Sequence, residues 1–178
     1  TANLIRSAGI EVEIVSAGST LTYEVTGTYP GITEIQPGSF VFGAGPEGSG
    51  YGWETKNNVY FESALTVLTQ VISDNFSNRV VTDAGEKAMA PMHDVKPPVL
   101  VKINEEVVEC ESVSFAEEHG IVKFKKGSEV RKHIRLGQKI EFIPSHCCTC
   151  VNQHDKIFVI SNKKLAAVWP ITARGKYY

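Results

Sequence analysis

The sequence predicts a mainly β protein whose opening stretch is built differently from the rest. Two observations carry this. From Phe40 onward, short apolar runs separated by turn residues follow one another, with the two-residue period of strands. Before Thr20 the order is helix end, strand, then a loop of small residues, the order in which many β/α-barrel enzymes hold a phosphate at a strand C-terminus. From Phe40 on the expected fold is therefore all-β, preceded by an edge of helix–strand–loop character.

The elements follow in order. Ala2-Asn3-Leu4-Ile5-Arg6-Ser7-Ala8-Gly9 reads as the last turns of a helix closed by glycine. Ile10, Val12 and Ile14 alternate as a short strand, and Ser16-Ala17-Gly18-Ser19-Thr20 follows. Small residues there let a ligand approach the backbone, serial N–H groups can form an anion nest, and Ser19 and Thr20 add hydroxyls; a plain turn fits the same residues. Pro37-Gly38 is a turn into a strand from Ser39 to Phe42. The glycines from Gly43 to Gly50, with Tyr51 and Trp53 beyond, make either a surface loop or one that closes over a site.

Ala64 to Ser73 is apolar on both faces and rich in β-branched residues, a buried strand. Arg79-Val80-Val81-Thr82 is a strand ending at Asp83-Ala84-Gly85, with Lys87 just after. Pro97-Pro98 opens a strand from Val99 to Ile103, and Asn104-Glu105-Glu106 turns the chain into Val107 to Cys110. Val113-Ser114-Phe115 precedes Glu117-Glu118-His119-Gly120 and the strand Ile121 to Phe124. His119 beside two carboxylates is either a base or metal-site group or part of a solvated turn. Ile157 to Ile160 and Ala166 to Ile171 form a terminal hairpin about Ser161-Asn162-Lys163-Lys164.

Composition bounds the partners. The chain has 178 residues, 42% apolar and 21% charged, ordinary for a globular protein. A net charge of −2 without a basic block argues against nucleic acid. No apolar run reaches the length of a membrane span, and no signal peptide is visible, so no membrane partner is expected. Three of the four cysteines fall within Cys147 to Cys150, poorly placed to staple distant segments; the expected setting is reducing and cytoplasmic. The chain starts at Thr1 in what reads as mid-structure, and an N-terminal part is expected to be missing.

Chemistry concentrates in Pro144-Ser145-His146-Cys147-Cys148-Thr149-Cys150-Val151-Asn152. Gly137 to Ile143 alternates as a half-buried strand, and Pro144 ends it for want of an N–H. If the chain stays extended past Pro144, His146 and Cys148 point to one side and Cys147 to the other. An imidazole and a thiolate are good zinc ligands, and two ligands leave the coordination shell open for water or substrate. Cys150 is either a third ligand or core. A reduced cysteine cluster in a turn is the alternative reading.

Taken together, Ala17-Gly18-Ser19-Thr20, Thr33 to Phe40, Thr82-Asp83-Ala84-Gly85-Glu86-Lys87-Ala88, Glu117-Glu118-His119-Gly120, His146-Cys147-Cys148 with Asn152 and Asp155, and Trp169-Pro170 with Ala173-Arg174-Gly175 resemble, over essentially the whole chain, the C-terminal part of the D-serine dehydratase and D-threonine aldolase family. These are metal-activated, pyridoxal-phosphate-dependent lyases with an alanine-racemase-like fold. The resemblance implies that residues 1–30 end the cofactor-binding barrel and residues 31–178 form the β domain with the metal site. It implies that Gly18, Ser19 and Thr20 bind the cofactor phosphate, that His146 and Cys148 hold Zn2+ or another divalent metal, and that His119 stands behind them. Aldolases of this family more often carry aspartate at the second ligand position, so Cys148 favours the dehydratase branch. Thr149 and Cys150 depart from the Pro and Thr often found there. The implied activity is dehydration of D-serine to pyruvate and ammonia, with D-threonine-type retro-aldol cleavage as the alternative and a non-catalytic metal- or partner-binding β domain as the rival of another class. The implied assembly is a homodimer acting on a small D-amino acid. The lysine that anchors the cofactor matches none in this chain, Lys87 included, so the chain by itself is expected to be inactive.

Overall fold

The structure, a computed structural model, describes residues 1–43, 61–91 and 99–176. The glycine-rich stretch from residue 44, with Tyr51 and Trp53, and the Pro97-Pro98 strand opening lie outside the described residues. The chain forms two compact units, Thr1–Ala64 and Leu65–Tyr178.

In the first unit, helix α1 (Ala2–Ser7) is followed by β1 (Ser16–Ala17), α2 (Tyr23–Thr26), β2 (Glu34–Ile35) and a 3-10 turn at Ser39–Phe42. The expected strand from Ile10 to Val15 is not formed. Pairing begins only at Val15, whose carbonyl accepts the Thr33 and Glu34 N–H groups, and β1 then runs parallel to β2. Alternation of apolar residues reports a preference for one face, but a strand also needs a neighbour for its N–H and C=O groups, and here Ile10 and Ile14 are exposed. The β1–β2 pairing keeps the stretch beyond residue 31 in the first unit.

The expected strand from Ser39 to Phe42 is instead the 3-10 turn. Its cause is local: the buried Thr20 hydroxyl accepts the N–H groups of Gly38 at 3.1 Å and Phe40 at 3.2 Å and curls the backbone around itself. Gly43, at φ +88°, turns the chain where a Cβ would strike the Glu62–Ser63 backbone.

The second unit is mainly sheet. Its strands are β3 (Val67–Phe76), β4 (Arg79–Thr82), β5 (Val99–Ile103), β6 (Glu106–Val108), β7 (Ser112–Phe115), β8 (Gly120–Lys123), β9 (Lys139–Pro144), β10 (Lys156–Ser161) and β11 (Lys164–Pro170). The connecting helices are α3 (Glu86–Met89), α4 (Glu129–His133) and α5 (Cys147–Val151). Among the described residues, seven strands form one antiparallel sheet in the order β6-β5-β9-β3-β4-β8-β7. β10 and β11 form a separate hairpin. Asn104 and Glu105, and likewise Asn162 and Lys163, adopt positive φ, as the tight two-residue turns of right-twisted hairpins require.

β3 is the shared strand. Residues Val67 to Gln70 pair with β9, whereas Val71 to Phe76 pair with β4. The sheet wraps about this change of partner. Phe115 on β7 and Phe142 on β9 would stand about 19 Å apart in a flat sheet with strands ~4.8 Å apart, yet their rings meet edge-to-face at 5.8 Å. The core fills the wrapped interior with Val71, Val80, Met89, Val101, Val122, Phe124, Ile134, Ile140 and Phe142. β3 was expected to be apolar on both faces, but Leu68 and Ile72 are exposed, because only one of its faces looks into the wrap. Buried Arg131 donates to the Asp74, Phe76, Arg79 and Ile134 carbonyls, tying α4 to the far end of the β3–β4 hairpin.

Asp83 sits at the change of partner. Its Oδ1 accepts the Thr69 hydroxyl at 2.7 Å and the Gln70 N–H at 2.8 Å, and its own N–H donates to the Gln70 carbonyl. Desolvation pushes the Asp83 carboxyl up, but the donors from Gln70 and Thr69 outweigh it and hold the pKa below its ordinary 3.8. A depressed folded pKa adds stability that is present above the ordinary value and is lost as pH falls through the folded one. Asp83→Asn should therefore lower stability at neutral pH by about 1 kcal/mol, and melting temperatures of the two proteins should converge as pH drops below about 4. A pH-independent difference would show that the carboxylate charge is not what matters.

Candidate functional site

The segment after Asp83 builds the site. Gly85 is the start of α3, and a Cβ there would press into the Ala116 and Glu117 carbonyls and the His119 N–H, all backbone. The Glu86 N–H donates to the Ala116 carbonyl at 2.9 Å and the Lys87 N–H to the Glu117 carbonyl at 3.1 Å. Lys87 pairs with Glu118 in the open. The Glu117-Glu118-His119 turn is thereby fixed on one side of α3, with His119 exposed and its carbonyl accepting the Ala116 N–H.

The other end of α3 holds α5. The Ala88 carbonyl lies 2.8 Å from His154 Nε2 and 3.7 Å from Cys150 Sγ, and the Ala90 carbonyl accepts the Thr149 hydroxyl at 3.1 Å. Ala90 adopts a left-handed conformation at φ 40°, which ends α3 there. His154 carried no signal in the sequence: nothing in its spacing ties it to Ala88. Behind α5, Arg174 donates to the Asn152 carbonyl at 3.3 Å and to Asp155 at 2.7 Å, and the Gly175 N–H donates to Asn152 Oδ1 at 3.1 Å. Four sequence-picked groups, Thr82 to Ala88, Glu117 to Gly120, His146 to Cys148 and Ala173 to Gly175, are thus joined through α3 and α5.

The chain stays extended past Pro144 only as far as His146. His146 is the last extended residue and α5 starts at Cys147. Cys147 consequently does not turn away from Cys148: successive helical side chains are about 100° apart, and the two sulfurs lie 4.0 Å from each other. Cys148 is exposed, Cys147 is 9% exposed, and Cys150 is buried with its thiol on Ala88, a core role rather than an open donor. Burial holds the half-buried His146 imidazole below its ordinary pKa of 6.5. Burial, then the neighbouring Cys148, pushes the Cys147 thiol up to about 11. The Ser145 hydroxyl, one residue before His146, is buried without a partner among the described residues. Among the described residues no three His, Cys, Asp or Glu side chains converge on a point that holds a metal ion.

In the first unit, Gly18 stands at φ +85°, where a Cβ would strike Thr26 at 2.8–2.9 Å. The Ser19 N–H donates to Thr22 Oγ1 at 3.0 Å and the Leu21 N–H to Ser19 Oγ at 3.3 Å. An anion cradle here has to draw on other N–H groups of the loop. Thr20, turned inward on Gly38 and Phe40, fixes the loop's shape.

The chain is similar to known proteins over its full length. Residues 64–160, more than half of the chain, match the putative serine dehydratase domain. A 3-hydroxy-D-aspartate aldolase of Paracoccus denitrificans (strain Pd 1222) is 31% identical over 98% of this chain and 43% of its own length. The chain thus spans under half the length of that relative. The D-threonine aldolase from Filomicrobium marinum superposes on all of this chain and 46% of that one, with a TM-score of 0.77 and 26% identity. An alanine-racemase-like protein from Idiomarina loihiensis, 22% identical, shares the fold over 94% of this chain and 46% of its own, with a TM-score of 0.69. No helix among the described residues is long and apolar enough to cross a membrane.

Gly85→Ala should destabilise the protein by about 1–3 kcal/mol, the usual cost of forcing atoms into packed space. It should also speed hydrogen exchange of the Glu86 and Lys87 amides. An unchanged melting temperature with unchanged exchange would show that the turn does not rest on α3.

Proposed function

The chain belongs to the family of the putative serine dehydratase domain, and on that premise we propose that it is part of a metal-activated, pyridoxal-phosphate-dependent lyase acting on D-3-hydroxy amino acids. The observation that carries the reading is the start of α5: a half-buried His146 at its N-cap and an exposed Cys148 two residues on. Imidazole and thiol suit Zn2+ or a similar divalent ion, and the donor set fits. The phosphate fits less directly. Gly18 frees the backbone at positive φ beside β1, but the Ser19 and Leu21 N–H groups are engaged within the loop; Gly18 and Thr20 are the positions we assign to it, with the Ser19 hydroxyl beside them.

When bound, pyridoxal phosphate supplies the electron sink at the substrate α-carbon and the metal ion makes the 3-hydroxyl a better leaving group. The chain's own residues orient and gate that chemistry. His146 and Cys148 seat the ion, and the Ala88 and Ala90 carbonyls keep α5 from shifting under it. His119, exposed on its turn, is the proposed proton carrier behind the site. In this reading the first compact unit, which runs past the expected residues 1–30 to Ala64, ends the cofactor-binding barrel, and the β domain follows. The lysine that anchors the cofactor lies outside these residues. The assembly is a homodimer, cytoplasmic, and the exposed Phe158, Ile160, Leu165 and Trp169 of the β10–β11 hairpin are surface that a second copy covers.

Dehydration of D-serine to pyruvate and ammonia is the favoured reaction; the matched domain and the thiol at position 148 support it. Retro-aldol cleavage is the second reading, and the 31% identical aldolase supports that one. Incubating the intact enzyme with D-serine and with D-threonine separates them: a 2-oxo acid with ammonia marks a dehydratase, glycine with an aldehyde marks an aldolase. Cys148→Ala should cost more than about 100-fold in metal-dependent turnover, beyond the ~10–100-fold loss typical of a group behind a ligand, while cofactor absorbance stays. The 178-residue chain alone should turn over neither substrate. Activity that survives exhaustive chelation would overturn the metal assignment.

A further inference from the structure

We infer that His154 is a positioning residue for the metal ligands: its Nε2–H, through the Ala88 carbonyl, fixes the helix that carries Cys148 against the strand end that carries His146. The inference rests on the reading above for what α5 holds, and it adds no donor to the metal.

The need for the contact comes from α3. The last carbonyls of a helix have no intrahelical N–H to accept. α3 has four residues, so the Ala88 carbonyl lies in its last turn. Two side chains from the α5 segment reach that carbonyl, His154 Nε2 at 2.8 Å and Cys150 Sγ at 3.7 Å. A thiol is a weak donor, so the imidazole is the main tie. A carbonyl only accepts, so the ring proton facing it is on Nε2 and the tautomer is set. That nitrogen is committed to Ala88.

Placement makes the tie matter. His154 lies three residues past the end of α5, in a turn where its own N–H donates to the Val151 carbonyl at 3.1 Å. Thr149, inside the helix, donates to the Ala90 carbonyl at 3.1 Å. One tie within α5 and one just beyond it fix both the direction and the rotation of the helix, whereas either alone leaves a pivot. Rotation is what the site cannot tolerate. His146 stands on extended backbone before the helix, but Cys148 is in it, so a helix that turns about its axis swings the thiol away from the imidazole. Ligand geometry has to hold to about 0.5 Å.

The test is Co2+ titration of the 178-residue chain, read by the thiolate-to-cobalt charge-transfer absorbance. Gln places its amide nitrogen near the position of a histidine Nε2, and Asn near that of Nδ1. His154→Ala and His154→Asn should therefore weaken Co2+ about 10–100-fold, the usual effect of losing a group that orients a ligand, while His154→Gln restores native affinity. Amide hydrogen exchange is a second readout that needs no metal. The Cys150 N–H on the His146 carbonyl and the Asn152 N–H on the Cys148 carbonyl should exchange faster in the alanine and asparagine variants and at the native rate in His154→Gln. Unchanged Co2+ affinity in His154→Ala, or a His154→Gln as weak as the alanine variant, overturns the inference. If the native chain takes up no Co2+, the metal reading falls and exchange alone decides: the stated pattern upholds the role of His154, and equal rates overturn it. Should His154→Ala fail to fold, ring-nitrogen NMR of the native chain decides. A proton on His154 Nε2, with signals that zinc leaves in place, upholds the inference; a bare Nε2, or a shift of coordinating size on adding Zn2+, overturns it.

Discussion

The Glu86 and Lys87 N–H groups donate to the Ala116 and Glu117 carbonyls, and two residues later the Ala88 and Ala90 carbonyls receive His154, Cys150 and Thr149. The 116–119 turn and α5, which carry most of the sequence-picked groups of the second unit, are both fastened to this short stretch of backbone. It works because Gly85 has no Cβ. The 116–119 turn comes close enough that any side chain there would meet backbone rather than a flexible tip. Upstream, Asp83 fixes where the stretch leaves the sheet, at the point where β3 exchanges β9 for β4. The wrapped core sets the sheet, Asp83 sets the exit, and Gly85 sets the distance between α3 and the turn it supports.

This order explains why a site can sit on so short a helix. α5 has five residues, too few to be stable by propensity alone. It is held by side-chain bonds to α3 and by Arg174 and Gly175 clasping Asn152 and Asp155 from behind. Metal ligands need such fixed supports, since a small misplacement costs most of their affinity. The polar groups that the sequence displays as scattered motifs are mostly these supports.

The strands of the second unit were legible because burial on one face writes a two-residue period, as in Arg79 to Thr82 and Lys139 to Ile143. The hairpin turns at Asn104-Glu105 and Asn162-Lys163 were legible for the same reason, from the runs on either side. What failed was set by contacts far along the chain. Ile10 to Val15 alternates correctly but pairs only from Val15. Phe40 and its neighbours look like a strand until Thr20, some twenty positions earlier, curls them. The residues His146 and Cys148 were singled out from their types, their two-residue spacing past a strand end and the family resemblance. The helix that begins at Cys147 was not, because its support comes from Ala88 and Ala90, and the sequence therefore set Cys147 on the side opposite Cys148.

The central claim is that the start of α5 seats a metal ion on nitrogen and sulfur. X-ray absorption at the zinc edge, on the zinc-loaded chain, tests it most directly because it counts donors by type without requiring turnover. The account predicts a mixed first shell, with sulfur at about 2.3 Å and imidazole nitrogen at about 2.0–2.1 Å, both lost on replacing His146 and Cys148 together. A shell of oxygen and nitrogen alone, or one unchanged in that double variant, would contradict it.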